Sequence, residues 1–402
     1  MLDDSLGTSA HCISPATAAR CRDDDLEPHP GVDAFFRRNG LCPSTRLACH
    51  TYACLRFPTA VVRCAPTQGY CSYTLSVSGD RLLQFRPEPH ELDMRVCRDA
   101  RAVFKDLVPA TVHLGSLQGT ADPAGVGDGA PRLHVYVQER LPGVSLAHVK
   151  EQTGEQRRRL IEDIAHVFAA SYAHRHPPPD GGTSEMLRGR VGASLKWRLQ
   201  LLQGLRDADD DDDGDERRRG QGGFARHVAA VTGRADAALA ALPWCLTHGD
   251  LVPSNVLVDA ESGRLTGLVD WAEGEWLPLG LGLYGLEELL GRDVPSRGFV
   301  YFDDHESLRR RFWDCFLAAT AACRQEQQSA RLLDDVGLAR KLGILLWRGI
   351  AFDDGRIDRV VEAGGDDAEV HKLRLFLEAP CPTACAVIEG SALSDGDYVQ
   401  RL

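Results

Sequence analysis

The sequence has no long hydrophobic run. No stretch of its 402 residues approaches the roughly 18 uninterrupted apolar residues that a membrane-spanning helix needs. Its start, Met1-Leu2-Asp3-Asp4, is acidic and lacks the basic segment and apolar run of a secretory signal. Neither a membrane partner nor secretion is therefore expected, and the cytoplasm is the predicted location.

Cysteine pairs with disulfide or metal-site spacing are also lacking. The 13 cysteines are odd in number and spread along the chain, which does not suit a disulfide framework. Cys381 and Cys385 lie four residues apart, but no second Cys or His pair with zinc-type spacing follows them. The cysteines are therefore predicted to be reduced and mostly structural.

Positive charge is in deficit, with a formal net charge of −12. Because nucleic-acid phosphates require a basic surface, no nucleic-acid partner is expected. Much of the acid lies in one block over residues 207–216, which is followed at once by Arg217, Arg218 and Arg219. Such a block usually forms a solvated, mobile loop, predicted here near residues 206–223 with no catalytic role.

The pattern between residues 51 and 140 predicts an antiparallel sheet with one helix. Residues 71–78 alternate apolar and polar side chains, as a half-buried strand does, and a two-residue turn leads into a returning strand over 81–86. A helix over roughly 91–107 follows, with its apolar residues on one face. Strands near Val112 and over 133–138 complete the predicted sheet.

Helical periodicity dominates beyond residue 140. Helices are predicted over residues 155–174, 195–205, 224–242, 280–290, 307–323 and 336–347. A β-rich part followed by a helical part predicts an α+β fold of two lobes with a cleft between them. The predicted domains are a weakly structured N-terminal extension over 1–50 with a short helix around 32–38, an N-lobe over 51–140 and a helical C-lobe over 141–402.

One segment of the C-lobe combines a histidine, two aspartates and one of only two asparagines in the chain. His248, Asp250 and Asn255 form an H-x-D-x-x-x-x-N pattern, and Asp270 follows 20 residues after Asp250. Apolar runs on both sides of Gly263 predict a hairpin. Asp250 and Asn255 would lie in the loop that enters this hairpin and Asp270 at its exit, so the catalytic segment 246–271 can bring all three side chains to one point.

Phosphoryl transfer needs this set of groups. Magnesium prefers oxygen ligands such as a carboxylate and an amide carbonyl, which Asp270 and Asn255 supply. A carboxylate that is not a metal ligand must align the attacking hydroxyl and accept its proton, and Asp250 suits that role. His248 is predicted to brace the loop rather than to act as a base. Any one of these residues alone would more often be a turn former or a cap, but the combination favours function.

The motif resembles the aminoglycoside phosphotransferase and choline-kinase branch of the protein-kinase-like fold, particularly its fungal members. The segments 68–74, 135–143 and 272–280 are similar to that family too, and the resemblance runs in order from about residue 65 to about residue 380. It implies a two-lobed kinase fold, ATP in the cleft, and transfer of the γ-phosphoryl group to a hydroxyl of a small-molecule acceptor.

The same resemblance implies individual site residues. Asp250 matches the family's catalytic aspartate, and Asn255 and Asp270 match its magnesium ligands. The segment from Gln138 to Arg140 lies where the family's hinge backbone meets adenine. The phosphate-covering turn falls at Gly69 to Ser72, where an ordinary strand entry is an equally good explanation.

The usual phosphate-binding lysine has no counterpart, because no lysine occurs among the first 104 residues. Kinase-like folds place that lysine on the third strand and pair it with an acid on the next helix. Arg86 is the best-placed cation. Across a two-residue hairpin it would face Tyr73 and share a side of the sheet with Gln84 and Leu75. Asp93, within the apolar face of the helix, is its expected partner. A structural Arg86–Asp93 ion pair without nucleotide contact stays open, since arginine is not equivalent to lysine.

The predicted function is that of a Mg²⁺- and ATP-dependent small-molecule kinase. A nucleotide-binding pseudokinase or scaffold without turnover is the alternative, because Arg86 stands in place of lysine. A protein kinase is disfavoured, since no activation segment ending in Ala-Pro-Glu follows Asp270. Glu273, Glu275 and Glu287 could line a site for a cationic acceptor, although exposed or capping acids are the commoner explanation. The sequence does not identify the acceptor.

Overall fold

The computed structural model describes residues 30–120, 131–177, 195–205, 223–320, 326–353 and 358–380. These residues form two compact units. The first lies within Met1–Arg98 and Pro109–Leu141, and the second within Asp99–Val108 and Pro142–Leu402. The division after Leu141 falls one residue from the N-lobe boundary predicted at residue 140. Most of the acidic loop predicted near residues 206–223, like Cys381 and Cys385, lies outside the described residues.

A five-stranded antiparallel sheet forms the centre of the first unit. Its strands are β1 (Val62–Cys64), β2 (Tyr73–Val77), β3 (Arg81–Pro87), β4 (Thr111–Gln118) and β5 (Arg132–Glu139), in the order β1-β2-β3-β5-β4. The helices are α1 (Pro30–Arg38), α2 (Pro43–Arg56) and α3 (Met94–Phe104), the last of which belongs to the second unit from Asp99 onward. The strands and the helix predicted between residues 71 and 138 are confirmed.

Helices α1 and α2 pack against one face of this sheet. Val32, Phe35 and Phe36 of α1 are buried in one cluster with Tyr73 and Phe85 of the sheet. The weakly structured extension predicted up to residue 50 therefore needs correction over residues 30–50, which contribute to the core. The periodicity of α2 was missed because its buried face carries Thr45, Arg46, Cys49 and His50 instead of large apolar residues.

The β2–β3 hairpin has a different register from the predicted one. Val77 pairs with Arg81, so the loop has three residues, 78–80, and Tyr73 lies opposite Phe85 instead of Arg86. Ser78 and Gly79 both have positive φ, at 56° and 85°, which accommodates the longer loop. A shift of one residue exchanges the two faces of a strand. Arg86 consequently shares its face with Gln84 and not with Leu75, which lies in the core.

The second unit is mainly helical. Its helices are α4 (Gly154–Ala173), α5 (Leu195–Leu202), α6 (Gly223–Thr232), α7 (Ala235–Ala241), α8 (Tyr284–Leu289), α9 (His305–Thr320), α10 (Glu326–Arg348) and α11 (Asp367–Glu378). Its short strands are β6 (Val144–Ser145), β7 (Trp244–Thr247), β8 (Val256–Val258), β9 (Leu265–Leu268), β10 (Glu275–Pro278), β11 (Gly291–Val294) and β12 (Gly298–Tyr301). A β-rich first unit and a helical second unit confirm the predicted α+β class.

The hairpin predicted around Gly263 is formed by β8 and β9 and is fixed to α4. Val256 pairs with Leu268, and the strands are antiparallel. Helix α4 begins with a capping box between Thr153 and Gln156, and the Gln156 side chain also donates to the main-chain oxygens of residues 260 and 261 in the hairpin turn. The hairpin is therefore held at its turn as well as at its base.

Within the described residues, no helix combines the length and the apolar character that crossing a membrane requires.

Candidate active site

The loop that carries the motif begins where β7 ends. Strand β7 pairs with β10, with Thr247 opposite Glu275. Gly249 then turns the chain with φ of +78°, and a Cβ atom added there would lie 1.8 Å from the main-chain oxygen of Glu273. Only glycine fits this turn, both because of the positive φ and because of the close backbone. The glycine of the motif thus places Asp250 immediately after a sharp, closely packed turn.

His248 connects the two ends of the segment. Its Nε2 atom lies 2.9 Å from the Val269 oxygen, and its Nδ1 atom accepts a hydrogen bond from the Asp250 main-chain N–H at 3.3 Å. These partners assign the neutral tautomer with the proton on Nε2. Burial lowers the pKa of His248 more than the nearby charge of Asp250 raises it. The lowered pKa favours the same neutral form of the ring. The geometry is that of a brace between the loop and the residue before Asp270.

Asn255 is hydrogen-bonded directly to Asp250. Its Nδ2 atom donates to the Asp250 carboxylate oxygen Oδ2 and to the Asp250 main-chain oxygen, both at 2.9 Å. The side chain is nearly buried, at 9% exposure. With the amide nitrogen used in this way, the Oδ1 atom of Asn255 presents the kind of oxygen that a hard cation accepts as a ligand.

Asp270 follows the hairpin in a constrained conformation. Its φ and ψ of 62° and 68° lie in the left-handed region, which aspartate tolerates better than most residues. The preceding Val269 donates its N–H to the Asn255 oxygen at 3.0 Å and accepts the hydrogen bond from His248. The structure therefore joins the loop of Asp250 and Asn255 to the strand end that carries Asp270.

The residue after Asp270 anchors this strand end in the second unit. Trp271 is buried, donates its indole N–H to the Leu268 oxygen at 3.0 Å, and stacks on Phe104 with ring centroids 5.3 Å apart. Its ring also contacts the imidazole of His248, at 4.6 Å. Trp271 thus packs directly against His248.

Arg86 lies on the sheet face opposite to the buried core of the first unit. It is 1% exposed, and its guanidinium donates to the Gln84 side chain at 3.0 Å and to the His90 oxygen at 3.4 Å. The observed register places Thr74 and Gln138 on the same face. Three strands therefore direct polar side chains of the predicted nucleotide-binding region to one side of the sheet.

Asp93 does not have the predicted place. Instead of lying in the apolar face of α3, it precedes the helix and accepts a hydrogen bond from the Arg95 main-chain N–H at 2.8 Å. Its side chain is 43% exposed and lies 3.7 Å from the Arg95 guanidinium. The predicted Arg86–Asp93 ion pair is therefore wrong. Asp93 caps the start of α3 instead, which is a common role for an aspartate at this position.

The predicted phosphate-covering turn is held by a glutamine. Gln68 accepts from the Thr74 N–H at 2.9 Å and donates to the main-chain oxygens of Ala65 and Thr74. Ser72 is buried and its hydroxyl lies 3.1 Å from that of Thr74. Gly69 has a negative φ, and an added Cβ would meet only the Ser72 hydroxyl at 3.7 Å. This conformation therefore does not itself require glycine at position 69.

The predicted hinge segment follows β5. Gln138 donates from its side chain to the Thr111 hydroxyl at 3.2 Å. The Arg140 main-chain N–H donates to the Asp80 oxygen at 2.9 Å, and its guanidinium reaches the Gly79 oxygen at 3.4 Å. Because that N–H is already used, a bound base would have to use other main-chain groups of this segment.

Glu287 is neither exposed nor a cap. It is fully buried and forms ion pairs with Arg309 at 2.7 Å and Arg340 at 2.6 Å, while the Tyr301 hydroxyl donates to it at 2.8 Å. Burial alone would raise the pKa of Glu287, but the guanidinium groups of Arg340 and Arg309 lower it further than burial raises it. Glu287 therefore lies in the interior of the helical unit, paired with two arginines, and is not available to bind a cationic acceptor.

Two residues of this site were missed by sequence reasoning. Tyr284 and Trp347 both donate to the main-chain oxygen of Gly249. Periodicity placed each of them in a predicted helix, and this pattern indicates burial. A hydrogen bond across 98 residues of chain leaves no such periodic signal.

Comparison with known proteins identifies the family. A family model described as "Phosphotransferase enzyme family" matches residues 76–280, which is half of the chain and includes Arg86, Asp250, Asn255 and Asp270. The chain belongs to this phosphotransferase enzyme family. Gly69 and Ser72 precede the matched region. The fungal type expected within the family stays a prediction.

Solved structures match the chain at low identity. The GDP complex of aminoglycoside 2'-phosphotransferase-IIIa is 15% identical with a TM-score of 0.44, covering 82% of this chain and 96% of that one. An aminoglycoside phosphotransferase from Streptomyces rimosus is 15% identical with a TM-score of 0.39, covering 73% and 98%. An ethanolamine kinase from Plasmodium vivax is 10% identical with a TM-score of 0.42, covering 90% and 89%. No curated protein matches the sequence. Membership rests on the family match.

Proposed function

We propose that this protein transfers the γ-phosphoryl group of ATP to a hydroxyl of a small molecule. The observation that carries the proposal is the hydrogen bond between Asn255 and the Asp250 carboxylate, in a loop joined by His248 and Asn255 to the residue before Asp270. Phosphoryl transfer depends mainly on positioning and electrostatic stabilisation, and this segment fixes its polar side chains through the backbone.

Asp250 is the proposed proton acceptor. The Asn255 amide holds one of its carboxylate oxygens, and the main-chain groups of residue 250 are bound by His248 and Asn255. A carboxylate fixed in this way can orient an attacking hydroxyl and take its proton as the new bond to phosphorus forms. His248 supports the loop and does not take part in the proton transfer.

Asn255 and Asp270 are the proposed ligands of Mg²⁺. Among the described residues, no group of three His, Cys, Asp or Glu side chains is placed to hold a metal ion. The residues present nonetheless suit magnesium, which in kinases is held by one or two protein oxygen ligands together with substrate phosphates. The amide nitrogen of Asn255 is bound to Asp250, and its carbonyl oxygen, which accepts a long hydrogen bond from the Ser254 hydroxyl at 3.5 Å, is the proposed ligand atom. When bound, the ion supplies neutralisation of phosphate charge.

In the first unit we propose Arg86, the segment Gln138–Arg140 and the turn Gly69–Ser72 as nucleotide contacts. Their support is that Arg86 and Gln138 share the sheet face of Thr74, which in turn contacts the Ser72 hydroxyl. Asp93 is not part of this proposal. The absence of nucleic-acid and membrane partners and the location in the cytoplasm remain predictions.

A mass-spectrometric screen tests the function. The protein is incubated with ATP and Mg²⁺ or Mn²⁺ and a panel of amines, amino alcohols, sugars and nucleosides, beside an Asp250→Asn variant. We expect an acceptor to gain one phosphoryl group with the wild type, at a rate about 10²–10⁴-fold above the variant. No product from any acceptor, together with tight nucleotide binding in calorimetry, would favour the pseudokinase alternative.

A further inference from the structure

The main-chain oxygen of Gly249 accepts two side-chain hydrogen bonds from distant helices. The Tyr284 hydroxyl at the start of α8 donates to it at 2.8 Å, and the Trp347 indole N–H in the last turn of α10 donates at 2.5 Å. The Tyr284 oxygen also accepts from the Leu251 N–H at 3.3 Å. The peptide groups on both sides of Asp250 are therefore bound by this pair of aromatic residues.

Tyr284 and Trp347 are themselves rigidly placed. Their rings are stacked, with centroids 4.8 Å apart and an interplanar angle of 18°, and they are 1% and 7% exposed. Stacking and burial leave each ring little freedom to follow the loop if it moves. The two donors thus form a fixed surface against which the Gly249 peptide is aligned.

Buried ion pairs join the helices that carry these rings. Arg348, next to Trp347, pairs with Glu288 of α8, and Arg340 of α10 pairs with Glu287 of α8 at 2.6 Å. Both acids are almost completely buried. The separation of Tyr284 from Trp347 is therefore fixed by ion pairs as well as by ring stacking. Because the Gly249 oxygen is bound to both rings, its position depends on that separation.

We propose that Tyr284 and Trp347 are positioning residues, which orient the Asp250 carboxylate by fixing the Gly249 carbonyl. The proposal rests on the proposed function of Asp250. The N–H of the Gly249–Asp250 peptide is held by His248, and its carbonyl oxygen is held by Tyr284 and Trp347, so both ends of this peptide are fixed by side chains. A misplacement of about 1 Å at a catalytic group costs roughly 10²-fold in rate. Loss of either donor should therefore lower kcat while leaving nucleotide affinity unchanged.

Packing alone could also explain two buried aromatic residues, and the variants are chosen to separate the two roles. Tyr284→Phe and Trp347→Phe keep an aromatic ring and remove the donor. Trp313→Phe is the matched control, because Trp313 is likewise buried in the second unit but packs against Phe312 and Phe316 of its own helix. A general loss of packing would affect all three variants alike.

The kinetic measurement determines kcat and the KM for ATP of wild type and of each variant, with the acceptor that the mass-spectrometric screen identifies. We expect kcat to fall at least about tenfold in Tyr284→Phe and in Trp347→Phe, with KM for ATP within about twofold of wild type. The double variant should lose less than the product of the single effects, because both donors serve one oxygen. Unchanged kcat in both single variants, or an equal fall in Trp313→Phe, overturns the proposal.

Hydrogen exchange provides a readout that does not need turnover. Peptides covering residues 246–258 should exchange faster in Tyr284→Phe and Trp347→Phe than in wild type or Trp313→Phe. The comparison is made under conditions in which the proteins have the same free energy of unfolding. Unchanged exchange in these peptides overturns the inference, whatever the kinetics. If the wild type shows no turnover with any acceptor, the proposed function fails by that result, and the exchange data alone decide whether the two rings hold the loop.

Discussion

The side-chain amide of Asn255 donates one hydrogen bond to the Asp250 carboxylate and another to the Asp250 main-chain oxygen, both at 2.9 Å. These bonds orient two chemically different groups at once. We infer that the carboxylate is thereby held ready to accept a proton, while the amide oxygen of Asn255, which lies 3.5 Å from the Ser254 hydroxyl, is the proposed ligand of a cation. One asparagine thereby couples the proposed base to the proposed metal site.

Replacing Asn255 by alanine should remove both effects. We expect kcat/KM to fall by roughly 10²–10³-fold, an effect of the size seen when one electrostatic donor is lost from an active site. The Mg²⁺ concentration for half-maximal rate should rise as well. Asn39→Ala is the matched control, since Asn39 is the only other asparagine and donates to the Phe35 oxygen at the end of α1. Equal activities of the two variants would contradict the role given to Asn255.

Gly249→Ala should be much more disruptive than a typical glycine substitution. The added Cβ would lie 1.8 Å from the main-chain oxygen of Glu273, so the loop or β10 must move. We expect loss of activity and a lower free energy of unfolding in urea. Gly79→Ala is the control, because Gly79 has a similar φ of +85° but no atom within 4 Å of the added Cβ. It should cost only about 1–2 kcal/mol of backbone strain. Similar losses in both variants would show that strain, and not the close packing at Glu273, dominates.

Glu287→Gln should destabilise the second unit strongly. The substitution leaves the guanidinium groups of Arg309 and Arg340 buried without their counter-ion, and such losses cost about 3–5 kcal/mol. Chemical denaturation measures the change. Glu155→Gln removes an exposed acid that pairs with Arg158 and Arg159, and we expect a far smaller effect from it. A Glu287→Gln variant as stable as Glu155→Gln would argue against the structural role of this carboxylate.

His50 should make the stability of the protein depend on pH. Its ring is buried in α2, with Nε2 2.6 Å from the Tyr73 hydroxyl. Burial, and then the charge of Arg46, lowers the pKa of His50 from 6.5 to about 4. Between these two values the unfolded chain binds a proton that the folded chain does not. The free energy of unfolding should therefore decrease as pH falls through this window, by up to about 3 kcal/mol.

The variant His50→Gln isolates this contribution, since glutamine can bond to Tyr73 without titrating. The difference in unfolding free energy between wild type and variant should be constant above about pH 7.5 and should shrink or reverse toward about pH 4. Comparing the two proteins at each pH cancels the titration of the carboxylates. A difference that stays constant over the whole range would contradict the lowered pKa.

The sequence predicted local patterns better than their pairing. Alternation identified β2 and β3, but the loop between them has three residues because Ser78 as well as Gly79 adopts a positive φ. Nothing in the alternation distinguishes this loop from a two-residue turn, so the face of Arg86 was assigned with the wrong neighbours. For Asp93, the predicted helix began at about residue 91, three residues before α3 does, and the helical spacing therefore assigned a capping residue to the buried face.

The hairpin of the candidate site could be predicted from the sequence, but the contacts that distant helices make with its loop could not. Spacing alone was enough to predict the β8–β9 hairpin, because both strands are short apolar runs about a glycine turn. The contacts of Tyr284 and Trp347 with Gly249 depend on how α8 and α10 pack, which is a tertiary property. Helix α2 was missed for a related reason. Its Cys49 and His50 are buried because they contact the sheet, and sequence periodicity does not show such contacts.

A crystal structure of the protein with Mn²⁺ and a non-hydrolysable ATP analogue, in which anomalous scattering locates the metal, tests the proposed site most directly. We expect the metal to bind the Asn255 amide oxygen, the Asp270 carboxylate and phosphate oxygens, with the Asp250 carboxylate free to face the acceptor. A metal held by other residues, or carboxylates of Asp250 and Asp270 directed to different regions of the second unit, would contradict it.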